Sequence, residues 1–303
     1  MSSEKLRAPI SAGRLLVGAL ALSLIPAYGF AAQYSGGQGS QQQPPKQNPT
    51  PPTGEKGGTT NLPPGTPPEQ PLVNKEEDDA AKAIIAMKPD QSPQLIQAAG
   101  EFLKKYPQSR FRPVVYFRMA EAYRETNNFE KLTATGDEAL VENPDNVDVL
   151  ALMCWFLPHK VDRNSLDAER KLSNAEKYGR RALELMATLP KPDIISEADF
   201  ALAKHQKEAM AHSGLGLVYY HRGKTADMVA EFEQSTTLDT SPDPLDYFLL
   251  GNGRTQMKKF TEAAAAYEKC SQVNWTWQAD CKTRLEATKK LASTQPSLTA
   301  PKP

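Results

Sequence analysis

The chain has 303 residues, which is enough for one large domain or two small ones. Its 36 basic residues are balanced by 36 acidic residues, so the formal net charge is +0. This balance argues against the basic surface that non-specific nucleic-acid binding requires, and we expect no nucleic-acid partner.

The N-terminus has the pattern of a secretory signal peptide. Lys5, Arg7 and Arg14 precede an apolar run, LLVGALALSLI at 15–25, and small residues follow it. The run is shorter than the roughly 20 residues that a membrane-spanning helix needs. We therefore predict a signal peptide at 1–31 and an exported protein of a bacterial periplasm or cell envelope. The alternative is an uncleaved helix that tethers the chain to the membrane.

Residues 32–75 have the composition of a flexible linker. They are rich in Pro, Gly and Gln, as in the stretch QQQPPKQNPTPPTGEKGGTT. So few apolar side chains cannot offset the entropy that is lost on ordering. The composition predicts a disordered, partly polyproline-II spacer.

A helical unit with an unusual apolar stripe occupies 113–146. Its first helix places one small residue among large ones at helical spacing, in the set Tyr116, Met119, Ala120 and Tyr123. A small side chain within such a stripe indicates that another helix passes close to Ala120. A second helix follows, and Pro144 ends it.

The same pattern recurs along the chain. It returns at 209–243 and 244–275, and in weaker form at 76–110 and from Asp145 onward, where an insertion separates the two helices. Together these units resemble the tetratricopeptide repeat (TPR), a helix–turn–helix of about 34 residues. The resemblance implies an all-α, right-handed TPR-like solenoid of about five helix pairs over 76–293.

Three further elements depart from the regular repeat. The stretches 165–188 and 196–222 predict two helices that are longer than repeat helices and that pair as a hairpin. The charged segment 276–292 predicts a C-terminal capping helix, because solenoids need a polar outer face at their ends. We expect the tail at 294–303 to be disordered.

The three cysteines are expected to have different roles. Cys270 closes one predicted helix and Cys281 opens the next, at similar distances from the turn near Trp275. Antiparallel pairing of these helices brings the two thiols together, and export permits oxidation, so we predict a Cys270–Cys281 disulfide. The alternative is two free, buried thiols. Cys154 lies in an apolar segment and is expected to be a small buried residue.

No catalytic or metal-binding motif is present in the sequence. The four histidines show no HExxH spacing, and His205 and His212 lie about 10 Å apart along a helix, too far to share a metal. The glycines of GLG at 214–216 and GNG at 251–253 follow no predicted strand, so they are not phosphate loops. We expect no catalytic residue, no metal and no cofactor.

In the tetratricopeptide repeat family, the first helices of successive units line a concave groove that holds partner peptides or helices. Positions carried over from the family give a predicted protein-binding groove that consists of Phe117, Arg118, Glu121, Arg124, Val149, Met153, Phe156, Ser213, Leu217, Tyr220, Phe248, Asn252 and Gln256. The resemblance therefore implies a non-catalytic protein–protein interaction scaffold of the cell envelope. The alternative is an accessory subunit or enzyme of envelope assembly whose active site is not recognisable from the sequence.

Overall fold

The computed structural model describes residues 74–191 and 195–294. The predicted signal peptide, nearly all of the predicted linker and the tail beyond Thr294 lie outside the described residues. Within the described ranges, no helix is both long enough and apolar enough to span a bilayer.

The described residues form eleven α-helices and no β-strand. In chain order the helices are α1 (Lys75–Ala86), α2 (Ser92–Lys105), α3 (Arg112–Glu125), α4 (Phe129–Glu142), α5 (Val147–His159), α6 (Ala168–Ala187), α7 (Glu197–His221), α8 (Thr225–Leu238), α9 (Pro244–Gln256), α10 (Phe260–Ser271) and α11 (Gln278–Thr294). The first ten helices form five successive pairs, and α11 packs on α10. The predicted all-α solenoid is confirmed.

The turn between the two helices of a pair has the same form in three units. Asn127, Gly223 and Lys258 each lie two residues beyond a first helix and have positive φ angles of 55°, 70° and 59°. In each turn the next N–H donates to a carbonyl five residues back, as from Asn128 to Tyr123 at 2.8 Å. This left-handed end caps the first helix and reverses the chain.

Small residues lie where the two helices of a pair approach most closely. A methyl group on Gly216 would lie 2.7 Å from the Phe232 ring, and one on Gly251 would lie 2.7 Å from the Tyr267 ring. Ala120 is fully buried and packs in a cluster with Leu132 of the partner helix α4. The prediction that another helix passes close to Ala120 is confirmed.

The two middle helices are longer than the others in the repeats, as predicted. Helix α6 has 20 residues and α7 has 25, whereas α8 has 14 and α9 has 13. Capping by Ser196, whose Oγ accepts the Asp199 N–H at 3.1 Å, fixes the start of α7. The buried Lys207 on its extended part pairs with Asp148 of α5.

Helices α5, α6 and α7 pack closely around one buried cysteine. Cys154 of α5 is fully buried, and its Sγ lies 3.4 Å from the Ala211 carbonyl of α7. Glycines face it from both neighbouring helices, Gly179 from α6 and Gly214 from α7. Burial raises the pKa of the Cys154 thiol, so it remains a protonated packing group, as the sequence predicts.

Helix α11 closes the C-terminal end. The structure joins Cys270 of α10 to Cys281 of α11 in a disulfide, with the Cα atoms 6.0 Å apart. The connecting loop carries two tryptophans, and the Trp275 indole N–H donates to the Cys270 carbonyl at 2.9 Å. The loop is therefore held to the end of α10 by both a covalent bond and a hydrogen bond.

Candidate protein-interaction surface

The first helices of the pairs bear the predicted groove, and on α3 its charged residues are paired within the chain. Arg118 donates to Glu121 at 2.9 Å and to the Met87 carbonyl at 2.6 Å. Arg124 pairs with Glu125 and lies over the Trp155 ring, 5.8 Å from its centroid. Only 9% to 12% of the side chains of Arg118, Glu121 and Arg124 is exposed. These residues link α3 to its neighbours, and Phe117 beside them is half-buried.

The predicted groove residues of α5 do not form an open surface. Val149, Met153 and Phe156 are at most 1% exposed. Met153 lies against Gly136 of α4, and the Phe156 ring lies 5.6 Å from the ring of Phe129. They are core residues because α4, α6 and the long α7 surround α5. The groove positions carried over from the repeat family do not take this long helix into account.

Three more predicted groove residues are also buried. Ser213 donates to Asp246 at 2.9 Å, Leu217 is in the core at 1% exposure, and Phe248 lies beneath the two tryptophans of the α10–α11 loop. The accessible part of the predicted groove is therefore smaller than expected. It consists of Phe117, Tyr220, Asn252 and Gln256, the first three half-buried and the last exposed.

The insertion after α5 covers part of this surface. Arg163 lies over the Tyr220 ring, 5.2 Å from its centroid, and donates to the Tyr220 carbonyl at 3.3 Å. Its Nε also donates to His221 Nδ1, and His221 Nε2 lies 2.9 Å from the Pro158 carbonyl. The insertion thus packs on the first-helix face near Tyr220.

A small cavity with both apolar and acidic lining residues, which no sequence pattern indicated, lies at the junction of α5, α7, α8 and α9. It measures about 50 Å³, room for about three or four water molecules. Its lining combines Trp155 and Gln206 with Asp239, Asp243 and Asp246. No spacing rule could have joined these residues, because they come from four separate helices and their ends.

Asp246 is the buried centre of this junction. It is 2% exposed and accepts hydrogen bonds from Ser213 at 2.9 Å and Ser235 at 2.6 Å. Burial, followed by the charge of Asp243, raises the pKa of Asp246 to about 8. At neutral pH the carboxyl group is therefore mostly protonated and ties three helices together without a buried charge.

We expect Asp246 to make stability depend on pH. Between the ordinary pKa of 3.8 and about 8, the folded state keeps a proton that the unfolded state releases. Because the unfolded state binds fewer protons in this range, the free energy of unfolding falls as the pH rises. The substitution Asp246→Asn removes this titration, so its stability relative to the parent should rise steadily from pH 5 to pH 8 in urea unfolding.

Asp145→Asn is the matched control for that experiment. Hydrogen bonding to Arg181 lowers the pKa of Asp145. The stability that Asp145 contributes is therefore fully present above its ordinary pKa, and the effect of Asp145→Asn should not change from pH 5 to pH 8. A difference between Asp246→Asn and the parent that also stays constant over this range would mean that Asp246 is ionised when folded.

Three of the four histidines have structural contacts. Burial lowers the pKa of both His159 and His221 to about 4, so both are neutral near pH 7. His212 lies 2.6 Å from Glu231. Across residues 74–191 and 195–294, no group of three or more potential metal ligands comes together.

Comparisons with known proteins find similarity in structure only. No family model matches the sequence, and no curated protein is significantly similar to it. The chain is similar in structure to PilW, described as a widely conserved type IV pilus biogenesis factor. The TM-score is 0.50 at 15% identity, over 73% of this chain and 92% of PilW.

Two further structures are described as tetratricopeptide repeat proteins. TTC0263 from Thermus thermophilus has a TM-score of 0.44 at 16% identity, over 71% of this chain and 99% of that one. A protein from Parabacteroides merdae has a TM-score of 0.37 at 16% identity, over 73% and 87%. With its stacked helix pairs and small residues at the contacts within each pair, the chain has the tetratricopeptide repeat fold.

Proposed function

We propose that the chain is a non-catalytic protein-interaction scaffold of a bacterial cell envelope. It binds partner peptides or helices on the face formed by the first helices of its pairs. The observation that carries the proposal is the set of side chains still accessible on this face: Phe117 on α3, Tyr220 on α7, and Asn252 and Gln256 on α9. Aromatic anchors with interspersed amides suit recognition of a peptide backbone and its side chains.

The proposed envelope location rests on two observations. The N-terminal pattern of basic residues followed by a short apolar run predicts export. PilW, which shares the fold, is described as a pilus biogenesis factor. Export also suits the Cys270–Cys281 disulfide, because disulfides persist in oxidising compartments such as the periplasm.

Chemical crosslinking in the native envelope tests the proposal. The full chain is compared with an inner-face variant, Phe117→Ala plus Tyr220→Ala, and captured proteins are identified by mass spectrometry. Truncation of anchor side chains should abolish capture of the specific partners. The control is Val141→Ala, since this side chain is 84% exposed and lies on the second helix α4. Capture that the inner-face variant leaves unchanged would contradict the proposal.

A further inference from the structure

An aromatic surface lies at the C-terminal end of the first-helix face. The Phe248 ring lies 5.2 Å from the Trp277 ring and 6.2 Å from the Trp275 ring, and the two tryptophan rings lie 5.6 Å apart. Phe248 is buried, whereas both tryptophans are partly exposed. The disulfide and the Trp275 hydrogen bond hold this loop to α10, so the rings form a preformed surface.

Two amides continue the surface along α9. Phe248, Asn252 and Gln256 are spaced four residues apart, so they share one face of the helix. The Asn252 amide oxygen accepts from the Tyr267 hydroxyl at 2.8 Å, and the Gln256 amide oxygen accepts from Thr225 at 2.9 Å. With both oxygens engaged, each side chain retains its NH₂ group as a hydrogen-bond donor.

Trp277 supplies a third donor. Among the residues that the structure describes, none accepts a hydrogen bond from the Trp277 indole N–H, and this atom is not buried, whereas Trp275 donates to Cys270. The surface formed by the two tryptophans, Asn252 and Gln256 therefore presents aromatic rings and N–H donors. A proline-rich segment is the complementary ligand, because its backbone offers carbonyl acceptors, few N–H groups and apolar rings.

The chain itself contains such segments, and their distance from α1 selects one of them. Helix contacts lead from α1 through α3, α5, α7 and α8 to α9, which is five steps of about 8–10 Å or at most roughly 40–50 Å. At about 3.1 Å per residue, the prolines at 63–68 can lie at most about 20–35 Å from Asn74. This length is too short, or barely long enough, for them to reach α9. Residues 44–52, PPKQNPTPP, reach about 70–90 Å and cover the distance easily.

We propose that residues 44–52 of the chain dock on the surface formed by Trp275, Trp277, Asn252 and Gln256. The proline-rich stretch is then a ligand of its own solenoid, and an incoming partner must displace it or present the same chemistry. This inference rests on the proposed peptide-binding role of the first-helix face. Its test requires no partner, so its failure is distinguishable from failure of that role.

Paramagnetic relaxation in the full chain tests the docking. A nitroxide is attached at Asn48→Cys, since Cys154 is buried and the other two cysteines are in a disulfide. The three tryptophans give three indole N–H signals, which Trp275→Phe and Trp277→Phe together assign. We expect the Trp277 signal to lose most of its intensity relative to the same sample after ascorbate has reduced the nitroxide.

Two comparisons make the outcome decisive. Replacement of Pro44, Pro45, Pro49, Pro51 and Pro52 by Ser should restore the Trp277 signal, because the stiff proline backbone is lost. Broadening that persists in that variant, or an unaffected Trp277 signal in the labelled parent, would overturn the proposal. Broadening that disappears on dilution would also overturn it, because the occupant would then be the arm of a second copy.

Discussion

Gly214→Ala is expected to lower the free energy of unfolding by at least about 3 kcal/mol, at the upper end of the range for overpacked cores. The added methyl group would lie 2.5 Å from the Cys154 carbonyl oxygen and 2.6 Å from its carbonyl carbon. These are backbone atoms of α5, so relief requires a shift of a whole helix. The Cys154 Sγ atom, also at 2.6 Å, blocks movement toward the side chain.

Gly100→Ala is the matched control. Gly100 also lies inside a helix, α2, but a methyl group there would meet nothing within 4 Å. Replacing a glycine in an open helix interior should stabilise by about 0.5–1 kcal/mol. Urea unfolding followed by circular dichroism measures both variants. Similar effects of the two substitutions would show that α5 and α7 are not in backbone contact at Gly214.

Loss of the Cys270–Cys281 disulfide has the second largest expected effect. The bond closes a loop over a sequence separation of 11 residues, for which the chain-entropy model gives about 3 kcal/mol. We expect Cys270→Ser plus Cys281→Ser to release α11 first, because α11 packs only on the end of the solenoid. Hydrogen exchange should accelerate at 278–294 and remain slow in α5, where Cys154 and its neighbours are buried.

Thiol alkylation under denaturing conditions verifies the bond itself. Of the three cysteines, only Cys154 should react before reduction, and all three should react after it. Alkylation of all three without reductant would mean that Cys270 and Cys281 are free thiols. In that case the serine variant should leave hydrogen exchange in α11 unchanged.

Local pattern was enough to predict the architecture. Ala120, Gly216 and Gly251 are small residues within apolar stripes, and each packs against its partner helix because two helices cannot approach closely with larger side chains between them. The lengths of α6 and α7 could also be predicted from the sequence. For α7, an unbroken helical pattern without Pro continues through 196–222. These features depend on neighbours in sequence.

Which of the predicted groove residues remain accessible was less predictable, because this depends on contacts between distant helices. Val149, Met153 and Phe156 have the apolar character of groove anchors, but the length of α7 makes α5 an interior helix and buries them. Phe248 is covered by tryptophans from a loop beyond the repeat. Asp246 meets Ser213 and Ser235 only in three dimensions, so neither its burial nor its protonation can be read from the sequence.

Quantitative envelope crosslinking tests the central claim, that the first-helix face is the docking surface, most directly. We expect each of the two aromatic anchors to contribute more than about 1 kcal/mol to binding. The variant Phe117→Ala plus Tyr220→Ala should therefore capture at least about tenfold less partner than the parent. Val141→Ala should capture as much partner as the parent. Because Phe117 and Tyr220 also pack against buried clusters, capture is compared at a temperature at which circular dichroism shows both variants to be folded. Equal capture by the two folded variants would contradict the claim.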